Sequence, residues 1–155
     1  MIPELVDIGA PWKVLPPGIH FATIDEIRRR FAINARRKKM FEGFEKGVEA
    51  LKKAGCVEIY LDGSYVTEKE NPGDFDACWS TTGVDPHLLD PTLLDFDEAR
   101  KNQKDKFGGE FFPASFDADA SSTYLDFLQN DRHTGKKKGI IKIDTTDEEK
   151  GTTSK

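Results

Sequence analysis

Two short apolar runs set the strongest limit on what this chain folds into. Cys56-Val-Glu-Ile-Tyr-Leu61 and Asp74-Phe-Asp-Ala-Cys-Trp79 both read as β-strands. Asp62-Gly63-Ser64 closes the first, and Asn71-Pro72-Gly73 is a turn signal before the second. The connection is too short for a crossover helix of normal size, so the two strands are expected to be antiparallel neighbours. The elements around them run helix, helix, strand, strand, helix, strand, helix, strand. That order predicts an α+β domain, a small mixed or antiparallel sheet with helices packed on it.

Outside this pair, residues 1–22 carry Pro3, Pro11, Pro16 and Pro17 with little period and read as an extended arm on the domain. Thr23-Ile-Asp-Glu26 has the form of a capping box and starts a short helix to about Phe31. Asn34 caps a longer helix whose apolar face is Met40, Phe41, Phe44, Val48 and Leu51, with Gly55 ending it. Short turns are expected over 84–94. A helix capped by Asp95 or Asp97 follows, running through Lys106. A strand over 110–116 comes next, at an edge or bulged because of Pro113. Ser121 or Ser122 would cap a helix to about Gln129, and Gly139–Ile143 forms a last strand. The domain is thus expected to span 23–144, with a polar tail over 145–155.

Charge narrows the function. The net charge is −5, which argues against general DNA binding. From Arg28 to Lys39 there are seven cations and no acid, and from Glu58 to Glu98 eleven acids and one lysine. This segregation points to a cation site in the acidic part. It also offers a phosphate-contacting face in the basic part, where a solvated helix face is the plainer reading. Cys56 and Cys78 lack metal-ligand spacing and read as buried free thiols. No long apolar run is present, so no membrane span is expected and the location is read as cytoplasmic.

The chemistry sits in the opening pair. Residues two apart on a strand share a face, so Asp74 and Asp76 point one way and Phe75 points into the core. Two carboxylates side by side repel unless a cation lies between them, and oxygen-only ligands suit Mg or Mn. Gly63 lets a phosphate approach the backbone, and the Ser64 hydroxyl can donate to it. An anion cradle followed by a cation pair fits a metal-bound NTP. The alternative is a pair of solvated turn aspartates.

Gly63-Ser64, nine intervening residues and Asp74-Phe75-Asp76 together resemble the signature of the nucleotidyltransferase superfamily, which includes DNA polymerase β and the minimal nucleotidyltransferases. The chain is also similar to a bacterial family of nucleotidyltransferase-like proteins, through Leu15–His20, Leu61–Thr67, Val84–Pro86 and Phe112–Ala114. The resemblance implies a nucleotidyltransferase-like fold. In it, Gly63 and Ser64, with Thr67, would bind the triphosphate, ATP among the candidates, and Asp74 and Asp76 would hold the metal. A third carboxylate would complete the site: Glu110, with Asp117 and Asp119 as rivals. The implied activity moves a nucleotidyl group to a hydroxyl on a protein, an RNA or a small molecule. A non-catalytic module on the same fold, such as an antitoxin neutralising a cognate toxin protein or a phage-defence component, is the alternative. His20 is expected in a structural hydrogen bond rather than at the site. Trp79 reads as core, with base stacking as a weaker role. Lys136–Lys138 reads as solvated.

Overall fold

In a computed structural model, described for residues 1–144, a five-stranded mixed sheet is flanked by four helices. The expected polar tail over 145–155 lies outside the described residues. Strands β1 (Gly18–Ala22), β2 (Ile59–Asp62), β3 (Asp76–Trp79), β4 (Glu110–Pro113) and β5 (Gly139–Ile143) line up in the order β1-β5-β2-β3-β4. The β2–β3 pair is antiparallel as expected, with Asp62 opposite Asp76. β5 runs antiparallel to β2, while β1 is parallel to β5 and β4 parallel to β3.

Residues 1–22 are therefore not all arm. Their last five residues are an edge strand, and the domain begins before residue 23. Four prolines hide this strand, which among the described strands pairs with β5, about 120 residues later. Ahead of it, Val6 and Val14 exchange backbone hydrogen bonds of 2.7 and 3.0 Å and fold residues 6–14 into a loop. Pro113 does lie on an edge strand, where its missing N–H costs no ladder bond.

Helices α1 (Ile24–Phe31) and α2 (Ala35–Lys53) start where their caps dictate. Thr23 Oγ1 accepts from Glu26 N–H and Glu26 Oε1 accepts from Thr23 N–H, both at 3.1 Å. Asn34 Oδ1 accepts from Arg37 N–H at 2.9 Å. Gly55, with φ +94°, follows the C-terminus of α2. α3 (Asp97–Phe107) differs from expectation at its start. Its N-cap is Phe96, and Asp95 instead accepts from Asp97 N–H and the Asn102 amide. Glu98, Ala99 and Arg100 take left-handed dihedrals there, which costs about 1–2 kcal/mol per residue. α4 is one turn, Tyr124–Phe127, capped by Thr123 rather than Ser121 or Ser122. Those serines donate to Asp119 instead.

The sheet buries both faces. Leu61, Ala77 and Phe111 face the main core, where Phe44, Phe75, Phe107 and Phe111 pack ring on ring with centroids 5.3–6.2 Å apart. Tyr60, Cys78, Phe112 and Ile140 face a smaller cluster with Ala114 and Leu128. Trp79 is 1% exposed inside the main core, so it cannot stack on a base. Both cysteines are buried and unbridged, and burial raises both thiol pKa values. Among the described residues no helix is long and apolar enough to cross a membrane.

Candidate functional site

The sheet register builds the site. β3 begins at Asp76, which stands beside Asp62 on β2 and beside Glu110 on β4. Asp74 lies two residues before the strand starts, because β2 has already ended at Asp62 and leaves it no ladder partner. Phe75 is fully buried and anchors the segment, so the two aspartates flank a pinned residue. Carboxylate oxygens of Asp74, Asp76 and Glu110 all lie within 4.8 Å of one another. Glu110 is thus the third carboxylate of the cluster. Asp117 bridges to Thr123 and Asp119 binds Ser121 and Ser122, so neither rival joins it.

Gly63 is tied to this cluster by space as well as by backbone. Its φ is +83°, and a Cβ there would sit 2.9 Å from both the Asp76 N and the Asp76 Oδ2. Ser64 opens a single 3-10 turn to Val66. The Thr67 hydroxyl is spent inside the loop: it donates to Ser64 O at 2.6 Å and accepts from Lys69 N–H at 3.1 Å. Thr67 therefore shapes the loop rather than offering a free donor.

Two residues of the basic stretch, Arg36 and Arg37, scaffold this loop, while Arg28 and Arg29 pair with Asp25 at the surface and Lys38 and Lys39 are exposed. Arg37 is 2% exposed and donates to four carbonyls, Phe31, Tyr65, Thr67 and Lys69, at 2.6–3.2 Å. Arg36 donates to Pro72 O at 2.7 Å and Gly73 O at 3.1 Å, directly ahead of Asp74. Arg30 donates to Ile2 O and Pro3 O. These guanidiniums hold backbone, so they form no phosphate face. Planar five-donor groups suit that work, since each buried carbonyl needs a donor.

Burial and mutual repulsion set the electrostatics of the cluster. Burial, then Glu110, Asp74 and Asp62, push the Asp76 carboxyl up to about 7. Asp74 is raised too, by burial and then by Glu110, against Lys104, Arg100 and Arg132. Glu110 is 8% exposed and pairs with Arg100, with Lys104 at 3.8 Å. Asp62 is fully buried beside them and binds Lys138 Nζ at 2.6 Å. Lys138 is therefore no solvated lysine.

These groups line one cleft of about 430 Å³. Its floor holds Asp62, Gly63, Ser64, Asp74, Asp76 and Glu110, and Lys69, Arg132 and Lys138 add cations around it. Trp12, Phe127 and His133 contribute rings, Trp12 and His133 meeting edge to face at 5.4 Å. Asp62, Arg132 and Trp12 are not marked as site residues by the sequence, and Lys138 reads there as solvated. Each reaches the cleft through strand order or loop packing, and no local pattern marks it. His20 stays outside, with its Nε2 2.7 Å from Pro16 O.

No curated protein and no solved structure matches the chain. A family model described as "Family of unknown function (DUF6932)" matches residues 10–144, and the chain belongs to that family.

Proposed function

We propose that this protein is a divalent-cation-dependent nucleotidyltransferase of the polymerase β-like superfamily. It would move a nucleotidyl group from an NTP to a hydroxyl on a protein, an RNA or a small molecule. The observation that carries this reading is the convergence of Asp74, Asp76 and Glu110 beside the Gly63-Ser64 loop.

The donor set fits Mg²⁺ or Mn²⁺: three carboxylates, no sulfur, no imidazole within the cluster. A bound cation would neutralise the triphosphate and favour the attacking alkoxide. The chain's own residues would do the rest. Gly63 leaves room for a phosphate oxygen near the backbone, and the Ser64 hydroxyl, which has no hydrogen-bond partner among the described residues, is available to donate. Lys69, Lys138 and Arg132 supply positive charge to the rest of the triphosphate. The acceptor oxygen would form a bond to the α-phosphorus as the α–β phosphoanhydride breaks, with pyrophosphate leaving. A cluster carboxylate, Asp76 or Glu110, would accept the hydroxyl proton.

The test is calorimetric titration of each NTP, with and without Mg²⁺, into wild type and the Asp74→Asn/Asp76→Asn double variant. Metal-dependent binding in wild type that the double variant loses supports the assignment. Absence of NTP binding by wild type refutes it. The Arg100–Glu110 pair favours one second reading, a nucleotide- or partner-binding module without turnover. That reading requires tight NTP binding with no transfer to any acceptor.

A further inference from the structure

Among the described residues three buried side-chain atoms lack a hydrogen-bond partner, Asp62 Oδ2, Trp79 Nε1 and Gln103 Nε2, and Asp62 supplies the one that belongs to a carboxylate. It is 0% exposed, and its Oδ2 has no hydrogen-bond partner. The neighbouring Gly63 N–H favours the charged form, but it does not satisfy that oxygen. A buried acceptor left unmade costs about 1–3 kcal/mol, and more when it is charged. Holding Lys138 uses only Oδ1. A purely structural salt bridge would leave half of a buried carboxylate without a donor.

The position of Asp62 supplies the missing donor. Antiparallel register sets it directly beside Asp76, and it lines the same cleft as Asp74 and Glu110. Hydrated divalent cations carry waters whose hydrogens seek acceptors just outside the ligand shell. Building on the reading of the triad as a cation site, we propose that Asp62 is a positioning residue for that cation. With a small turn of the buried side chain toward Asp76, its Oδ2 accepts a hydrogen bond from a water on the bound ion, while its Oδ1 keeps Lys138 at the cleft wall. The strand order explains why one residue serves both ends. β2 lies between β3, which carries Asp76, and β5, which Lys138 immediately precedes.

The experiment is a Mn²⁺ titration without nucleotide, by calorimetry, on the whole chain. Wild type, Asp62→Asn, Lys138→Met, the Asp62→Asn/Lys138→Met pair and Asp74→Asn are compared. Asp62→Asn is expected to weaken Mn²⁺ binding about 10- to 100-fold. Lys138→Met takes away the cation that keeps Asp62 charged, so it is expected to weaken Mn²⁺ binding too, but by no more than Asp62→Asn does. The paired variant removes both buried charges, so it keeps the test open if Asp62→Asn alone fails to fold; it too should bind Mn²⁺ weakly. Wild-type affinity in Asp62→Asn or in the paired variant overturns the proposal. So does a weakening by Lys138→Met larger than that by Asp62→Asn, which would mean that Asp62 acts only through its lysine. In these cases loss of binding by Asp74→Asn leaves the triad standing. Failure of wild type to bind Mn²⁺ removes the triad and this proposal together.

Discussion

Asp76→Asn should make the cation-free protein more stable at alkaline pH. The Asp76 carboxyl moves from its ordinary 3.8 up to about 7 in the fold, through burial and three neighbouring carboxylates. A group whose folded pKa is raised binds more protons when folded, so stability falls as pH climbs from about 4 and levels off above about 7. The rise spans about three tenfold steps in proton affinity, or about 4 kcal/mol as a ceiling. The amide keeps the shape without the charge, although it must still be solvated in the cleft. We expect a gain of about 1–3 kcal/mol at pH 8 that shrinks steadily as pH falls and vanishes only below about pH 4, where Asp76 is protonated in the folded and unfolded chain alike. Urea unfolding in EDTA at pH 5, 6, 7 and 8 measures it. Excess Mn²⁺ should reverse the order, because only wild type gains ligand stabilisation. A variant less stable than wild type at pH 8 in EDTA, or a gap that ignores pH, would refute the reasoning.

Gly63→Ala should destabilise the fold by about 1–3 kcal/mol and displace Asp76, because the new Cβ meets Asp76 N and Oδ2 at 2.9 Å with φ at +83°; urea unfolding and Mn²⁺ titration read the two effects. Arg37→Met removes the side chain that bonds the Tyr65, Thr67 and Lys69 carbonyls together, and should cost about 3–5 kcal/mol. Arg37→Lys should recover little of that loss, since one ammonium cannot span four carbonyls; a full recovery in urea midpoint would contradict the role given to the guanidinium. Cys56 and Cys78, buried and with raised thiol pKa values, should resist iodoacetamide at pH 7.5 until the chain is unfolded, as mass spectrometry of the labelled protein would show.

Local chemistry was legible in the sequence. Thr23 and Asn34 can satisfy helix N–H groups whatever surrounds them, so both caps stand where they were read. Alternation read from the sequence put Phe75 in the core and turned both aspartates to the opposite side, where they meet in the cleft although β3 itself begins only at Asp76. Glu110 was named from its place at a strand start, but only the parallel β3–β4 register sets it beside Asp76 and leaves Asp117 and Asp119 elsewhere. The same limit hid β1, whose partner is distant in sequence. It also hid the work of Arg36 and Arg37, which reads as solvated charge until the β2–β3 loop folds over it. Asp62 and Lys138 are 76 residues apart and meet only because β5 inserts beside β2. Caps, alternation and turns depend on neighbours along the chain, so sequence alone determined them. Strand order, and with it the composition of the cleft, depends on which distant apolar faces bury one another, and that was decided by the tertiary structure.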